Sequence, residues 1–224
     1  MTVTTYDQIE QHSDEWYEAR CGVITASQMH KLVTSTLKTA DNDTSRGITL
    51  TLAAERISGS VEHIFPSYAM QRGTEDEPVA RQVYADNYAH VDEVGFILGT
   101  EPGYRIGFSP DGLMGNDGLM ELKSRSPKEH LKTILSGKPP AENMAQLMVG
   151  LFVTGRSWID YCSYSAGLPF WKVRVYPDHD WFAAIIAAAE TFETNVADII
   201  TNYTSATNGL PMTEKRIEIE DFTF

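Results

Sequence analysis

Ser109-Pro110-Asp111-Gly112, followed six residues later by Leu119-Met120-Glu121-Leu122-Lys123, is the stretch on which the reading of the fold turns. Asn116-Asp117-Gly118 is a turn signal, and residues 118–123 after it alternate with the period of a β-strand. That period places Leu119, Glu121 and Lys123 on one face, with Met120 and Leu122 on the other. A carboxylate and an ammonium then emerge side by side, about 7 Å apart along the strand. Pro110 ends the ladder of the preceding β-type run, 104–108, and leaves Asp111 at its end. If those two strands are hairpin neighbours, Asp111 and Glu121 converge. Paired carboxylates suit a hard divalent cation, which takes oxygen ligands and keeps positions open for water and phosphate. Such an ion stabilises both the attacking and the leaving oxygen of an in-line displacement at phosphorus. Lys123 would orient or deprotonate the attacking water, or neutralise developing charge. Pro-Asp-Gly alone is a turn, and Glu-x-Lys alone is commonly a solvent-facing pair. Their combination at this spacing points to a metal-dependent phosphodiesterase.

Outward from that stretch, the chain reads as helices around a central mixed β-sheet, an α/β fold in a single domain spanning residues 1–224. The core covers about residues 14–200, and 201–224 form a C-terminal tail. Helices are expected over 14–20, with Gly22 as a stop, over 25–33, 48–57 and 67–88 (interrupted or kinked at Pro78), and over 140–153 and 181–200. Short strands are expected over 94–98 and 104–108 across Glu101-Pro102-Gly103, and a hairpin over 158–164 and 170–176. Residues 35–46, with Asp41-Asn42-Asp43, read as a loop. The last ten residues read as an edge strand or an unanchored tail.

Three features bear on the chemistry. Acids on the helical segment Arg72-Gly73-Thr74-Glu75-Asp76-Glu77 lie upstream of the strand. Asn143, Gln146 and Gly150 share a helix face opposite Met144, Leu147, Met148 and Leu151, so Gln146 offers a polar group toward the site. The Arg20 to Ser27 block sets an arginine near a helix N-terminus opened by a Thr25-x-x-Gln28 capping box. Such an end binds phosphate through free N–H groups, a hydroxyl and the helix dipole.

The net charge of −13 is unevenly distributed. Residues 1–119 and 176–224 are acidic, and 120–175 carry 8 Lys/Arg against 4 Asp/Glu. The basic segment begins at the Glu121-Leu122-Lys123 motif and runs through Arg125, Lys128, Lys132 and Lys138. Two distant cysteines without CxxC spacing point to a reduced, cytoplasmic setting and no zinc site. No signal-like N-terminus and no run of eighteen apolar residues occurs, so no membrane partner is expected. The six histidines lack HxH or HExxH spacing, and neither GxSxG nor GxxxxGK[ST] is present. Zinc, serine-hydrolase and ATP-driven chemistry are thereby disfavoured.

These blocks in order — Trp16 with Arg20-x-Gly22-Val23-Ile24-Thr25-Ala26-Ser27, Gly73-x-x-x-Glu77, Ser109-Pro110-Asp111-Gly112, Leu119-x-Glu121-Leu122-Lys123 and Ala145-Gln146 — resemble the lambda-exonuclease-like, YqaJ-type viral recombinase family within the PD-(D/E)xK nucleases. The resemblance runs from Trp16 to about Thr154. It implies a restriction-endonuclease-like core and a 5′→3′ exonuclease that digests one strand of duplex DNA from its ends. It also implies 3′ overhangs for a single-strand annealing recombinase, and a ring-shaped homotrimer in a phage-infected or prophage-bearing cell. By the same resemblance Asp111, Glu121, the Leu122 carbonyl and Glu77 would hold two Mg²⁺ ions, with Mn²⁺ as a substitute. Lys123 and Gln146 would position the nucleophilic water. Arg20, Ser27 and Thr25 would grip the 5′-phosphate, with Lys38 or Arg46 in place of the further basic residue expected there. A ring lets an acidic chain hold a polyanion, because only the channel need be positive. The alternative is a restriction-like or structure-specific endonuclease using the same residues.

Overall fold

The structure is a computed structural model that describes residues 1–62 and 65–214. In chain order it contains β1 (Thr2–Tyr6), α1 (Asp14–Arg20), β2 (Ile24–Thr25), a 3-10 helix (Ala26–Lys31), α2 (Asp43–Ser58) and α3 (Tyr68–Asn87). There follow β3 (Phe96–Glu101), β4 (Tyr104–Phe108), β5 (Gly112–Met114), β6 (Gly118–Ser124), α4 (Pro127–Ser136) and α5 (Ala141–Thr154). The chain then forms β7 (Trp158–Tyr164), β8 (Trp171–Val175) and α6 (His179–Ala206). Among the described residues no helix is long and apolar enough to cross a membrane. The expectation for residues 215–224 lies outside the described residues.

The expected mixed α/β architecture is present, with the strands divided between two four-stranded sheets, β1-β3-β4-β2 and β5-β6-β7-β8. Both sheets are mixed: β2 runs parallel to β4, and β6 parallel to β7, while the remaining pairs are antiparallel. Helix α5 packs against both sheets, touching β3, β4, β6 and β7. It is buried on most sides, which corrects the two-faced reading: Asn143, Leu147, Met148, Gly150 and Leu151 are all buried. A helix apolar nearly all round belongs in a core. Gly150 permits the close packing, since a Cβ there would lie 2.8 Å from the Phe108 ring.

Strand β6 separates two apolar cores. Leu119 joins Ile159 and Tyr161 in the larger core with α5, whereas Met120, Leu122 and Cys162 pack with Ala80 and Tyr84 of α3. The alternation read from the sequence is therefore the one the structure uses. Asp160 of β7 holds α3 to this sheet: buried, it accepts from the Tyr84 hydroxyl at 2.8 Å and pairs with Lys172 at 2.7 Å and Arg174 at 2.8 Å.

Other expectations need correction. Helix α2 begins at Asp43, not near Ile48, because Asn42 caps it: Asn42 Oδ1 accepts from the Ser45 N–H and Ser45 Oγ from the Asn42 N–H, each at 3.0 Å. Helix α3 continues across Pro78, with Ser67 as its cap. Strands β1 and β5 and helix α4 were not foreseen. The hairpin partner of β6 is β5, whereas β4 lies in the other sheet.

Candidate active site

The β5–β6 register pairs Gly112 with Met120, and one step further along an antiparallel ladder brings Asp111 opposite Glu121. The expected convergence therefore occurs, through a strand of three residues rather than through β4. Asp111 Oδ2 accepts the Leu122 N–H at 2.5 Å. A strand residue points its N–H and C=O to the same edge, so the Leu122 carbonyl faces the same side, beyond the end of β5. Lys123 Nζ lies 2.6 Å from Glu121 Oε1 in an ion pair.

Glu121 is fully buried, and its carboxylate lacks well-formed hydrogen bonds. The Lys123 ammonium faces one oxygen, and the other meets no donor among the described residues. Burial, reinforced by the Asp111 charge, pushes the Glu121 carboxyl up to about 8. Burial also raises Asp111, against the pull of Lys123 and the Leu122 N–H. Burial alone would lower Lys123, but Glu121 and Asp111 outweigh it and hold the ammonium above its ordinary range.

Glu77 reaches this edge from α3. Burial and the Asp111 charge raise its carboxyl to about 7. It pairs with Arg81 one turn on, and the Arg81 guanidinium also donates to the Asp111 carbonyl at 2.9 Å and meets Glu93 at 2.6 Å. Asp76 accepts from Ser124 Oγ at 2.6 Å, and Arg72 donates to the same hydroxyl at 3.0 Å, fastening α3 to the end of β6. A cleft of about 500 Å³ lies between residues 7–12 and α3, with Glu77, Arg81 and Pro110 on its wall.

Among the described residues no three His, Cys, Asp or Glu side chains are grouped so as to hold a metal ion. Asp111 is engaged by Leu122 and Glu77 by Arg81. The donor set nevertheless suits a hard cation: oxygen ligands at one sheet edge, with a buried carboxylate oxygen that has no donor. A divalent ion would offset the burial that raises all three acids.

The Arg20 block connects to this edge through a residue that sequence reading quoted but gave no role. Ser109, two positions before Asp111, accepts from Trp16 Nε1 at 2.9 Å and from Arg20 Nη1 at 3.2 Å. The Arg20 guanidinium stacks 3.7 Å from the Trp16 ring centroid. Burial lowers Arg20 to about 10, so it stays cationic at neutral pH. Arg20 thus reaches Ser109 rather than Ser27. Ser27 is exposed, its Oγ 3.3 Å from Thr25 Oγ1, and buried Thr25 donates its hydroxyl to Gln28 Oε1 at 2.9 Å. The expected capping box is present, but the helix it opens is six 3-10 residues long. So short a helix has little dipole, and an anion here would rely on hydroxyls and Arg20.

Lys38 is exposed in a tight excursion closed by the Val33–Thr39 bridge. Arg46 is taken by Asp41 at 2.5 Å and Asp43 at 2.8 Å. Gln146 is half-buried on α5. Arg81 and Arg125 also had no assigned role in the sequence reading. The Glu77–Arg81 spacing of four on a helix could have revealed the first, whereas the Arg125 contacts are tertiary and leave no local signal.

Residues 15–157 match the YqaJ-like viral recombinase domain family. No curated protein matches the chain. Among solved structures, an alkaline exonuclease (LHK-Exo) from Laribacter hongkongensis is similar at 32% identity and a TM-score of 0.78, covering 89% of this chain and 100% of that one. LHK-Exo in complex with dAMP matches at 33% identity and a TM-score of 0.77, with the same coverage of 89% and 100%. A phage-related exonuclease from Haemophilus somnus 129PT shares the fold at 11% identity and a TM-score of 0.60, covering 81% of this chain and 96% of that one.

Proposed function

The chain belongs to the YqaJ-like viral recombinase family, and from that premise we propose that it is a Mg²⁺-dependent nuclease that digests one strand of duplex DNA from its 5′ end. The product is a 3′ single-stranded overhang, the substrate a strand-annealing recombinase requires. The observation that carries this reading is the buried apposition of Asp111, Glu121 and Lys123, joined through Ser109 to Arg20.

Asp111, Glu121 and the Leu122 carbonyl would hold the ions, with Glu77 beside them once freed from Arg81; Mn²⁺ fits the same oxygen donors. Bound there, the ions supply Lewis-acid stabilisation of the attacking and leaving oxygens. Lys123, kept protonated by Glu121 and Asp111, is suited to hold an anionic oxygen rather than to take a proton. Gln146 would orient the water from the α5 side. Among the described residues the Arg20 guanidinium donates to the Ser109 hydroxyl and stacks on the Trp16 ring, with the Glu55 carboxylate near enough to act on it through charge. That surrounding supports a terminal-phosphate grip, with Ser27, Thr25 and Lys38 as its further members. A ring-shaped homotrimer around the duplex reconciles this chemistry with a net charge of −13.

The test is a linear duplex carrying a 5′-phosphate on one labelled strand, incubated with Mg²⁺. Release of mononucleotides from that strand, with its complement and closed circles left intact, is the expected result. Nicking or linearisation of supercoiled circles overturns it in favour of an endonuclease. Sedimentation equilibrium tests the ring, for which a monomer at working concentration is the refuting result.

A further inference from the structure

Arg125 sits just beyond β6, two residues after Lys123, and the proposed reaction gives it no role. Its N–H continues the β6–β7 pairing, donating to the Tyr164 carbonyl at 2.8 Å. Its guanidinium donates to the Tyr161 hydroxyl at 3.0 Å and to Asn143 Oδ1. The Tyr161 hydroxyl lies 3.4 Å from that same oxygen, closing a triangle. Nη1 reaches Glu142 at 3.4 Å. Three elements thus meet at one planar cation: the end of β6, strand β7 and helix α5.

Each partner borders a group of the candidate site. Tyr161 is fully buried and pairs with Glu121 in the parallel β6–β7 register, so it stands on the face that carries Glu121 and Lys123. Asn143 is buried on α5 one turn before Gln146, so both project from the same side of the helix. Nη2 donates to both Asn143 and Tyr161 while Nη1 reaches Glu142, so the planar fork ties two adjacent α5 residues to β7 and resists rotation of the helix. A roll of about 10° moves a side-chain tip that stands roughly 6 Å from the helix axis by about 1 Å. A displacement of that size at a reacting group costs on the order of 100-fold in rate. Arg125 Nε is meanwhile buried with no acceptor among the described residues. An unsatisfied donor is a poor choice for stability alone.

We infer that Arg125 is a positioning residue: its hydrogen bonds to Asn143 and Tyr161 set the rotation of α5 and so hold Gln146 in register with Lys123. The inference rests on the proposed role of Gln146 and deepens it.

The experiment is a double-mutant cycle on the full chain with saturating Mg²⁺ and 5′-phosphorylated duplex, joined to a crystal structure of Arg125→Gln. Arg125→Gln should lower kcat by about 10–100-fold, with KM and the calorimetric Mg²⁺ affinity unchanged. Combined with Gln146→Ala it should be no slower than Gln146→Ala alone, and its structure should show α5 rolled. Arg125→Lys keeps the charge but loses the fork, and should fall between. If Arg125→Gln does not fold, Tyr161→Phe, which removes one hydroxyl, takes its place in the cycle and in the crystal. Losses that multiply, or a loss confined to KM, overturn the inference. A wild-type chain without nuclease activity fails the functional reading instead, and the structure then decides alone: α5 and Gln146 unmoved in the variant overturn the positioning role.

Discussion

Replacing Glu121 with Gln in the metal-free protein should leave stability almost unchanged near pH 5 and raise it relative to wild type near pH 9. The folded state holds the Glu121 carboxyl at about 8 against 4.5 when unfolded, chiefly through burial and then the Asp111 charge. Between those values the folded chain binds the proton that the unfolded chain has released, so wild-type stability falls as pH rises through this window. Glutamine has the shape of the protonated acid and nothing to ionise. At about 1.4 kcal/mol per pH unit, a displacement from 4.5 to about 8 is worth roughly 5 kcal/mol as an upper bound. Glu121 titrates together with Asp111 and Glu77, so its own share of that bound is smaller and about 2–3 kcal/mol is the expected span. His12 works in the opposite sense, since burial and the Arg20 charge lower it, but it is present in both proteins and cancels. The assay is urea unfolding of both proteins in chelator at half-unit steps from pH 5 to 9, then with Mg²⁺. Mg²⁺ should restore wild-type stability at the alkaline end and leave the variant little changed. A difference between the two proteins that is constant with pH, or that favours wild type as pH rises, refutes the reasoning.

Arg20→Ala should abolish discrimination between 5′-phosphate and 5′-hydroxyl ends, raising KM for the phosphorylated duplex by about 10–100-fold, the worth of a charged hydrogen bond. An undiminished preference in steady-state kinetics counts against the grip. Asp160→Ala leaves Lys172 and Arg174 without their buried carboxylate and should cost roughly 3 kcal/mol, the low end for a broken buried pair because both cations are partly exposed; chemical denaturation measures it. Gly150→Ala drives a methyl to 2.8 Å from the buried Phe108 ring and should cost about 1–3 kcal/mol by overpacking, seen as a lowered Tm.

How much of this was legible in the sequence depended on whether the signal was local. The alternation along β6 was readable because each face meets a different core, so every second residue answers to one neighbour. The hairpin partner was not readable, since three residues of β5 are too few to show a period. Nor was β1, whose residues are mostly exposed and carry no apolar face. Asp41-Asn42-Asp43 is ambiguous on its own, because the same short side chains serve loops and helix caps. Helix α4 announces itself with Ser126-Pro127 and Glu129, a cap and first turn, but it sits in a basic run that was read for charge instead. The Arg20–Ser109 contact spans 89 residues and leaves no trace in any window of sequence.

A deeper reason for the site's legibility lies in what burial ordinarily forbids. Position 121 stands beside Leu119 and Tyr161, both members of the larger core, where a leucine would cost nothing in desolvation. The chain instead holds a glutamate there, with an aspartate opposite and a second glutamate arriving from α3, all with raised proton affinity. Lys123 and Arg81 offset part of that cost but leave one Glu121 oxygen without a donor. Stability alone would remove such a cluster, because an incompletely compensated buried charge is destabilising where an apolar residue of similar volume is not. Its presence at the one edge where β5 stops short and the Leu122 carbonyl is left facing outward is accounted for if a cation completes it.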